Sequence, residues 1–405
     1  MKIAILGKGT SAIITALTCI ERGHEVEIYY DPDKPFLSVG ESTTPHIAKL
    51  LRDIFDISIG DLIDNEIASL KHGILFDGWG TGESFKHYFD TNNIAFHFES
   101  HIFNKFVHEL LENRGVKYHP FKIEKYSIDL NNEKVIINDI DYDHLICCSG
   151  WNNGDEYKSP IFETVNSAFV YSKKCPNFGP YTQHLATKDG WQFGLPFPDQ
   201  NIIKHGYLFN SKITPVEDAR KNVDSEDVKY ISWKPKYCKK MIQNRFCSYN
   251  GNRLMFLEPL QALSLYYYRL FSKYICMFIE DRKHETYVKY NQSYYKQMFD
   301  YQLSLAWHYS YGSKHNSDFW NDIKKRSKDL MNISYCTNPE YYIDAFHHDK
   351  KFANSEYFSI GCFKYNDYFQ IHSGMTDCKI KPEDIYVNFF NFNNFLNTFM
   401  ISTHS

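Results

Sequence analysis

The chain has 405 residues, 43% hydrophobic and 23% charged, with a formal net charge of −4 at pH 7. This length fits two or three domains or one large α/β unit with insertions, and the composition excludes whole-chain disorder, collagen and low-complexity fibre. The near-neutral charge gives no electrostatic signature of a nucleic-acid or membrane partner. The 17% aromatic content fits either a cavity for an aromatic ligand or an A/T-rich codon bias typical of phages and low-GC bacteria.

Nothing in the sequence predicts export or membrane insertion. The apolar N-terminus is interrupted by Gly7, Lys8 and Gly9, and no stretch reaches the roughly 18 apolar residues of a membrane helix. The cysteines are scattered apart from Cys147 and Cys148, so we expect neither a disulfide framework nor a metal site. We therefore expect a cytoplasmic protein, in the host cytoplasm if the chain is phage-encoded.

The N-terminus shows, in order, a strand, a glycine turn, a helix, a second strand and an acidic residue. The apolar run Lys2–Leu6 is typical of a strand buried on both faces, and a helical pattern follows from Ile13 to Ile20. The second predicted strand, residues 25–30, ends at Asp31. In this context a GxGxxG/A turn indicates a dinucleotide site.

The residues of this turn have distinct physical roles. Gly7 permits the tight turn, Gly9 lets the backbone approach a pyrophosphate, and Ala12 lets the helix pack closely on the strand. The helix N-terminus offers N–H groups to the phosphates, and the acid is placed to bond a ribose hydroxyl. The predicted cofactor contacts here are Gly7, Gly9, Thr10, Ser11, Ala12 and Asp31. The alternative is a βαβ unit with an empty crevice.

A second helix start follows in residues 38–45 (SVGESTTP). Pro45 suits a first helical position, and one of the three hydroxyl residues before it is expected to cap the helix predicted over residues 46–54. This is another anion-binding helix start, and its predicted cofactor contacts are Gly40, Glu41 and Ser42.

Several segments, taken in order, resemble the flavin-dependent halogenases of the tryptophan halogenase family. Residues 40–45 match the GEAT-P-type segment of the family, and residues 71–79 (KHGILFDGW) match its K-x-G-I-x-F-x-x-W pattern. Further matches are residues 96–116, 142–150 (YDHLICCSG), 190–196 (GWQFGLP), 206–209 (GYLF) and 251–260 (GNRLMFLEPL). The resemblance covers roughly residues 1–270 and identifies the chain as a divergent member.

The resemblance implies an α/β fold, with a Rossmann-like FAD-binding domain of the flavin monooxygenase type and an interleaved mixed-sheet and mainly helical substrate part. It places the FAD-binding core in residues 1–270, with substrate-side sheet inserted around 60–100 and 160–235. Residues 271–405 would form a mainly helical region covering the substrate. The further FAD contacts it implies are Gly150, Gly251, Asn252 and Leu265.

In this family, FADH2 from a separate reductase, O2 and a halide give hypohalous acid, which travels through a tunnel to a lysine that corresponds to Lys71. The ammonium then hydrogen-bonds the oxidant, or the free amine becomes a haloamine, and halogen passes to an aromatic carbon. On a single strand over residues 67–76, Ser69, Lys71 and Gly73 would share one face, so the lysine would have open space before it. A half-exposed surface lysine is the alternative.

The GWQFGLP segment resembles the family's G-W-x-W-x-I-P motif beside the tunnel. The resemblance implies tunnel-side or substrate-side roles for Trp191, Phe193 and Pro196. An aromatic plug in a hydrophobic core is the alternative.

The chain departs from the family after Leu260, where the family reads E-P-L-E-S-T-G. Gln261 replaces the second glutamate; as a catalytic-site residue it can accept a hydrogen bond but cannot be a base. Leu263 and Ser264 stand where the family binds halide through backbone N–H groups, so bromide or iodide becomes a hypothesis beside chloride. Gln261 also favours an electron-rich phenol or pyrrole over tryptophan.

The last third carries no motif that can be placed. Residues 285–299 and 303–311 look helical, and 388–400 (NFFNFNNFLNTFM) is predicted to be a helix packed on the body. Its histidines are more typical of surface or packed residues than of catalysts; they are His308, His315, His347, His348 and His372.

Two other functions stay open from sequence. One is a flavin hydroxylase or other NAD(P)H-using monooxygenase, and the other is a catalytically silent FAD-binding protein, which the Gln261 replacement suggests. The expected partners are a flavin reductase and a small aromatic substrate. We expect no nucleic acid, membrane or metal, and a homo-oligomer is compatible with the sequence.

Overall fold

The computed structural model describes residues 1–34, 40–89, 94–123, 126–150, 156–175, 178–333, 359–360 and 363–376. Its helices are α1 (Thr10–Glu21), α2 (Pro45–Phe55), α3 (Ile59–Asp64), α4 (Ser100–Asn113), α5 (Val216–Arg220), α6 (Leu263–Asp281), α7 (His284–Ser310), α8 (Asp318–Ile333) and α9 (Tyr365–Met375). Short 3-10 turns lie at Pro198–Gln200, Gly251–Arg253 and Leu260–Ala262.

The strands of the described chain are β1 (Lys2–Leu6), β2 (Glu25–Tyr29), β3 (Gly40–Ser42), β4 (Ala68–Lys71), β5 (Gly73–Asp77), β6 (Phe85–Tyr88), β7 (Ala95–Glu99), β8 (Lys117–His119), β9 (Ser127–Asp129), β10 (Lys134–Ile137), β11 (Ile140–Tyr142), β12 (His144–Cys147), β13 (Tyr157–Lys158), β14 (Ser167–Lys174), β15 (Tyr181–Thr187), β16 (Gly190–Phe197), β17 (Ile202–Phe209), β18 (Lys229–Ser232), β19 (Lys236–Cys238), β20 (Ile242–Asn244), β21 (Cys247–Tyr249), β22 (Met255–Phe256), β23 (Ser359–Ile360) and β24 (Phe363–Lys364).

The chain divides into two compact units, each built from separate stretches of sequence. Unit 1 comprises Met1–Leu70, Asn93–Pro160 and Lys234–Met298, and unit 2 comprises Lys71–Asn92, Ile161–Trp233 and Phe299–Ser405. Interleaving of the two parts was expected from the sequence. The particular boundary drawn at residue 270 stays a prediction.

Unit 1 is centred on a six-stranded sheet in the order β20-β21-β12-β1-β2-β8. β1 pairs in parallel with both β12 and β2, and its residues Ile3, Ala4 and Ile5 are fully buried. The predicted strand Lys2–Leu6 is therefore confirmed as a strand buried on both faces. The second strand ends at Tyr29, one residue before the predicted end. Since the carboxyl ends of parallel strands share one edge, this edge carries the glycine turn.

The expected side-chain cap of α2 does not form, which corrects the sequence-based expectation. Pro45 does take the first helical position, and Thr44 is the N-cap residue. The hydroxyl of Thr43 instead donates to the Phe96 carbonyl (3.1 Å) and accepts from the Phe96 N–H (3.0 Å). The hydroxyl of Thr44 has no hydrogen-bond partner within the described chain. The Thr43 hydroxyl is therefore bound by Phe96 of β7 and does not cap α2.

Unit 2 is centred on a seven-stranded sheet in the order β18-β14-β17-β16-β15-β5-β6, in which only the β5–β15 pair is parallel. The single strand predicted over residues 67–76 is two strands, β4 and β5, separated at His72. His72 donates its N–H to the Pro180 carbonyl (2.8 Å) and accepts from the Phe89 N–H (3.0 Å). These two bonds explain the break, because they engage His72 with other segments.

The predicted open space before the lysine is wrong at Gly73. A Cβ there would lie 2.3 Å from the carbonyl oxygen of His87, so this glycine lets β6 approach closely. Ser69 and Lys71 are buried and His72 is exposed, but Ile74 and Phe76 of the opposite predicted face are also fully buried, so burial does not follow the predicted alternation.

The two helices predicted over residues 285–299 and 303–311 are one helix, α7. The helix predicted over residues 388–400 lies outside the described residues. Among the described helices, none has the length and apolar character needed to cross a membrane.

A buried ionic network in unit 1 surrounds Glu27 on β2, which is 2% exposed. Its carboxylate lies 3.0 Å from Lys2 Nζ and 2.8 Å from His119 Nε2, and it accepts from Tyr142 Oη (2.5 Å). Burial raises the pKa of Glu27, but the hydrogen bonds of Tyr142, His119 and Lys2 outweigh burial and lower the pKa to about 2.

We expect this network to make stability depend on pH in acid. Because the folded pKa of Glu27 lies below its ordinary 4.5, the stabilisation is complete above pH 4.5 and is lost as the pH falls towards 2. Glu27→Gln should lower the free energy of unfolding at pH 7 by up to about 3 kcal/mol, and this difference should shrink between pH 4.5 and 2. Urea unfolding across this range measures it, with Glu109→Gln on the exposed side of α4 as control. A constant difference at every pH would contradict the assignment.

Candidate functional site

The glycine turn after β1 is shaped for close approach of the backbone. Gly7 has a φ of 131°, and a Cβ there would lie 2.9 Å from the carbonyl oxygen of Cys148. Gly9 is the N-cap residue of α1, and no side chain caps this helix end. The start of α1 therefore has the uncapped N–H groups and the positive dipole end that favour an anion, as the sequence-based hypothesis of a phosphate site requires.

The three segments that resemble the family's flavin segments meet in unit 1. Cys148 donates its N–H to the Leu6 carbonyl (2.7 Å), and Asn250 donates its N–H to the last carbonyl of β12 (3.0 Å). Gly251, with a φ of 62°, comes so close that a Cβ would lie 2.2 Å from Ser11 Oγ. Segments more than a hundred residues apart are thus joined by backbone contacts.

Asn250 is a residue of this site that the sequence reasoning missed. It is fully buried, its Oδ1 accepts from the Gly251 N–H (2.8 Å), and its Nδ2 donates to Thr15 Oγ1 (2.9 Å) and Ser272 Oγ (2.8 Å). It therefore ties α1 and α6 to the third segment. The one available signal was the Asn-Gly pair, which indicates a turn but not these partners.

Glu41 lies beside the glycine turn, and its contact with the cofactor stays a prediction. Its Oε1 accepts from Thr10 Oγ1 (3.0 Å) and from Ser100 Oγ (2.5 Å). Burial raises the pKa of this carboxyl, and the two hydrogen bonds oppose that rise. Gly40 and Ser42 flank it on β3, which pairs with β7.

Asp31 follows β2 and lies near the second segment through Lys34. Its Oδ1 accepts from the Asp33 N–H (3.0 Å), and Lys34 Nζ donates to the Ser149 carbonyl (2.5 Å). Gly150 has a φ of 83°, and Lys34 Nζ lies 3.6 Å from the position of its missing Cβ. Lys34 also donates its backbone N–H to the Asp31 carbonyl (3.3 Å), so this lysine contacts both the turn after β2 and the second segment.

The turn before α6 is strained. Gln261 (φ 59°, ψ 15°) and Ala262 (φ 57°, ψ 27°) are consecutive left-handed residues. For non-glycine residues this conformation costs about 1–2 kcal/mol each, and such outliers cluster at functional sites. No side chain caps α6, whose first turn contains Leu263, Ser264 and Leu265. The arrangement fits the backbone anion site predicted there.

The described residues of unit 1 fit FAD. At Gly7 and at Gly251 the backbone lies so close to other segments that a Cβ would clash with them, so these positions require glycine. Helix α1 starts without a capping side chain. Asn252 lies at the third segment, where its Oδ1 accepts from Tyr268 Oη of α6 (2.6 Å). Individual contacts to FAD stay predictions; the predicted set is Gly7, Gly9, Thr10, Ser11, Ala12, Asp31, Gly40, Glu41, Ser42, Gly150, Gly251, Asn252 and Leu265.

Lys71, the last residue of β4, is fully buried. Burial lowers the pKa of its amine to about 7. Its Nζ lies 5.2 Å from the centroid of the Phe89 ring. The alternative of a half-exposed surface lysine is therefore wrong, and ammonium and free amine are both populated near neutral pH.

The Trp191 segment packs as an aromatic core within unit 2. Trp191 is fully buried on β16, and its ring centroid lies 4.7 Å from that of His184 and 6.4 Å from that of Phe193. The Phe193 ring covers Gly206 of β17, where a Cβ would come within 2.2 Å of it. These contacts are those of a core plug, and tunnel-side roles for Trp191, Phe193 and Pro196 stay predictions.

His184 is a second residue that the sequence did not single out. It is buried, and burial, followed by the positive charge of Lys71, holds its pKa well below the usual range. The histidines predicted to be packed or exposed are placed as follows: His308 Nδ1 donates to the Ser304 carbonyl, His315 Nε2 donates to the Ala186 carbonyl, His372 Nδ1 bonds Tyr311 Oη, and His347 and His348 lie outside the described residues.

Within the described ranges, no group of three or more His, Cys, Asp or Glu side chains is arranged to hold a metal ion. The cysteines described there are free thiols, including Cys19 and Cys276, whose sulfurs are 3.6 Å apart.

The sequence model of the tryptophan halogenase family matches residues 2–93 and 88–376. The chain therefore belongs to the tryptophan halogenase family and is a flavin-dependent halogenating oxidoreductase. No protein with a curated description matches the sequence.

Solved structures share the fold. A tryptophan 6-halogenase from Streptomyces toxytricini is 17% identical, with a TM-score of 0.75, covering 98% of this chain and 95% of that one. A flavin-dependent halogenase from Xanthomonas campestris is 16% identical (TM-score 0.74; 92% and 88% covered), and one from Brevundimonas sp. BAL3 is 17% identical (TM-score 0.69; 80% and 81%). The likeness confirms the predicted α/β fold with a Rossmann-like FAD-binding part and a substrate part.

We expect Lys71→Met to stabilise the protein. The folded pKa of about 7 lies below the ordinary 10.5, so the cost of burying the amine is complete below pH 7, shrinks as the pH rises and vanishes above 10.5. Urea unfolding at pH 6.5 should show a gain of up to about 5 kcal/mol that shrinks towards pH 10. Lys105→Met, at a side chain 80% exposed on α4, is the control and should give no such gain. A Lys71→Met variant no more stable than the parent at pH 6.5 would contradict the buried amine.

Proposed function

We propose that this halogenase uses FADH2, O2 and a halide ion to make hypohalous acid, which Lys71 directs onto an electron-rich aromatic substrate. The observation that carries the proposal is Lys71 itself, which is fully buried and has a pKa of about 7. It opens the segment 71–79 that resembles the family's lysine motif. Burying an amine is costly, and strongly shifted pKa values cluster at functional sites.

The cofactor would be held by unit 1. When bound and reduced, FAD would supply two of the four electrons that reduce O2, and the halide would supply the other two, so that FADH2, O2, halide and a proton give FAD, hypohalous acid and water. Gly7 and Gly251 let the backbone approach the ligand, the uncapped start of α1 binds its phosphates, and Asp31 bonds a ribose hydroxyl. We infer from family membership that a separate flavin reductase supplies FADH2.

Lys71 has two chemical routes open to it. As an ammonium it donates hydrogen bonds that polarise and orient hypohalous acid. As a free amine it attacks the halogen of hypohalous acid, the O–halogen bond breaks, and hydroxide leaves with an amine proton as water, which gives a haloamine. With a pKa of about 7, both forms are present at neutral pH. Burial supports either route, because excluded water cannot compete for the oxidant.

Gln261 bears on the substrate class. After halogen adds to an aromatic carbon, the ring must lose a proton, and an amide cannot take it as a base. The buried amide can still accept a hydrogen bond from the substrate. A phenol or pyrrole loses this proton with less help than an unactivated ring carbon, so we infer an electron-rich substrate of that kind.

The halide would bind at the start of α6. Leu263 and Ser264 lie in its uncapped first turn, directly after the strained Gln261–Ala262 turn. Backbone N–H groups at such a turn bind anions. Because Leu263 and Ser264 replace the family's Thr-Gly pair and change the shape of the turn, we infer a wider or softer site that prefers bromide or iodide to chloride.

Lys71→Ala should reduce halogenation by about 10³-fold, the size expected for loss of a group that acts in proton or group transfer. FAD binding and hydrogen peroxide release should remain. The measurement is mass spectrometry of products from a panel of indoles, phenols and pyrroles, with FADH2 supplied by a reductase. The control is Lys105→Ala, on the exposed side of α4.

Retained halogenation in Lys71→Ala would remove this lysine from the mechanism. A hydroxylated product, or direct NADPH oxidation by the pure protein, would favour a monooxygenase instead. The pH profile of the parent separates the two lysine routes, since activity that rises through pH 7 requires the free amine and activity that falls requires the ammonium.

Halide competition tests the anion site. With equal chloride and bromide, we expect brominated product to dominate by more than tenfold for a substrate that accepts both. The ratio is read by mass spectrometry at fixed ionic strength. A strict preference for chloride would contradict the wider site.

A further inference from the structure

Helix α4 presents three polar residues at intervals of four: Ser100, Asn104 and His108. Residues with this spacing lie on one face of a helix. All three are buried, with exposed fractions of 1%, 3% and 5%. We call them the polar face of α4, and each of them contacts the glycine turn of unit 1 or its partner Glu41.

The first two residues of the polar face form hydrogen bonds with Glu41 and Thr10. Glu41 Oε1 accepts from both Ser100 Oγ (2.5 Å) and Thr10 Oγ1 (3.0 Å). Having donated its hydrogen to Glu41, Thr10 Oγ1 accepts from Asn104 Nδ2 (3.3 Å). This chain of donors fixes the orientation of the Asn104 amide.

The fixed amide leaves Asn104 Oδ1 as a buried acceptor without a hydrogen-bond partner among the described residues. Such an acceptor costs about 1–3 kcal/mol, which a donor on a ligand would remove. Asn104, Lys8 and His108 all line one cavity of about 310 Å³. The orphan acceptor therefore belongs to a residue at the edge of open space beside the glycine turn.

His108 holds the peptide plane between the two glycines of the turn. Its Nε2 lies 3.0 Å from the Lys8 carbonyl oxygen, and because a carbonyl only accepts, Nε2 carries the hydrogen. Nδ1 of the neutral ring then accepts from Tyr118 Oη on β8 (2.6 Å). Burial lowers the pKa of His108 to about 4, so the ring is neutral at pH 7. The peptide is planar, so fixing the Lys8 carbonyl also fixes the N–H of Gly9.

We propose that the polar face of α4 is part of the FAD site, with His108 as a positioning residue that aims the Gly9 N–H at the pyrophosphate, and Asn104 as a binding residue that accepts from a hydroxyl of FAD. The proposal rests on the proposed function, because it takes FAD as the ligand. It adds a helix that none of the predicted cofactor contacts included. It also gives the turn its binding shape before FAD arrives.

The first test needs no cofactor. In the apo protein, His108→Leu should raise amide hydrogen exchange over residues 7–13 by about tenfold, because the turn loses its brace. His108→Gln, whose side-chain amide can donate to the Lys8 carbonyl, should restore slow exchange. His284→Leu is the control, since that side chain is exposed at the start of α7 and does not line the cavity beside the glycine turn. Exchange equal to the parent in a folded His108→Leu variant would overturn the positioning role.

The second test titrates the apo variants with FAD and follows flavin fluorescence. We expect about tenfold weaker binding for His108→Leu and for Asn104→Leu, near-parental binding for His108→Gln, and no change for His284→Leu. Tyr118→Phe removes only the hydroxyl that donates to His108 Nδ1 and should weaken FAD binding about threefold. If His108→Leu does not fold, this variant tests the positioning role of His108. If the parent protein does not bind FAD, the proposed function is wrong. If the parent binds FAD and the folded His108, Asn104 and Tyr118 variants bind it equally well, only this inference is wrong.

Discussion

Unit 1 depends on backbone approaches that only a residue without a side chain allows. At Gly7 and Gly251 a Cβ would lie 2.9 Å from the Cys148 carbonyl oxygen and 2.2 Å from Ser11 Oγ. These approaches bring three distant segments to the carboxyl edge of the parallel sheet. Contacts made by backbone are insensitive to the identity of most side chains, which is consistent with a shared fold at only 15–18% identity to solved halogenases.

The features to which we assign a function all carry a cost in stability. Lys71 is an amine in a buried position, Gln261 and Ala262 are left-handed without being glycine, and Asn104 keeps an acceptor without a donor in the described chain. Each feature would be removed by selection for stability alone. Their coincidence with segments that resemble the family's lysine, halide and flavin motifs is therefore informative. Large aromatic cores such as that around Trp191 offset these costs elsewhere.

Local pattern was enough for much of the fold. The apolar run Lys2–Leu6 predicted a buried strand, and the helical spacing of apolar residues after it predicted the following helix. Pro45 correctly marked the start of α2. The predictions from local sequence were wrong where a segment forms its hydrogen bonds with residues far away in the sequence. His72 breaks a predicted strand because it bonds Pro180 and Phe89, and Thr43 bonds β7 where a cap of α2 was expected. Neither partner is visible in a local window of sequence.

The sequence by itself determined the order of elements, the glycine positions that permit close approach, and the family to which the motifs point, because these reside in residue type and spacing. Only the tertiary structure decided that Lys71 is buried and titrates near 7, that Asn250 ties α1 to α6, and that His108 donates through Nε2 to the Lys8 carbonyl. Burial and hydrogen-bond partnership are set by segments remote in sequence. Electrostatics follows from them, since the pKa of a buried group such as Lys71 is set mainly by its desolvation in the fold.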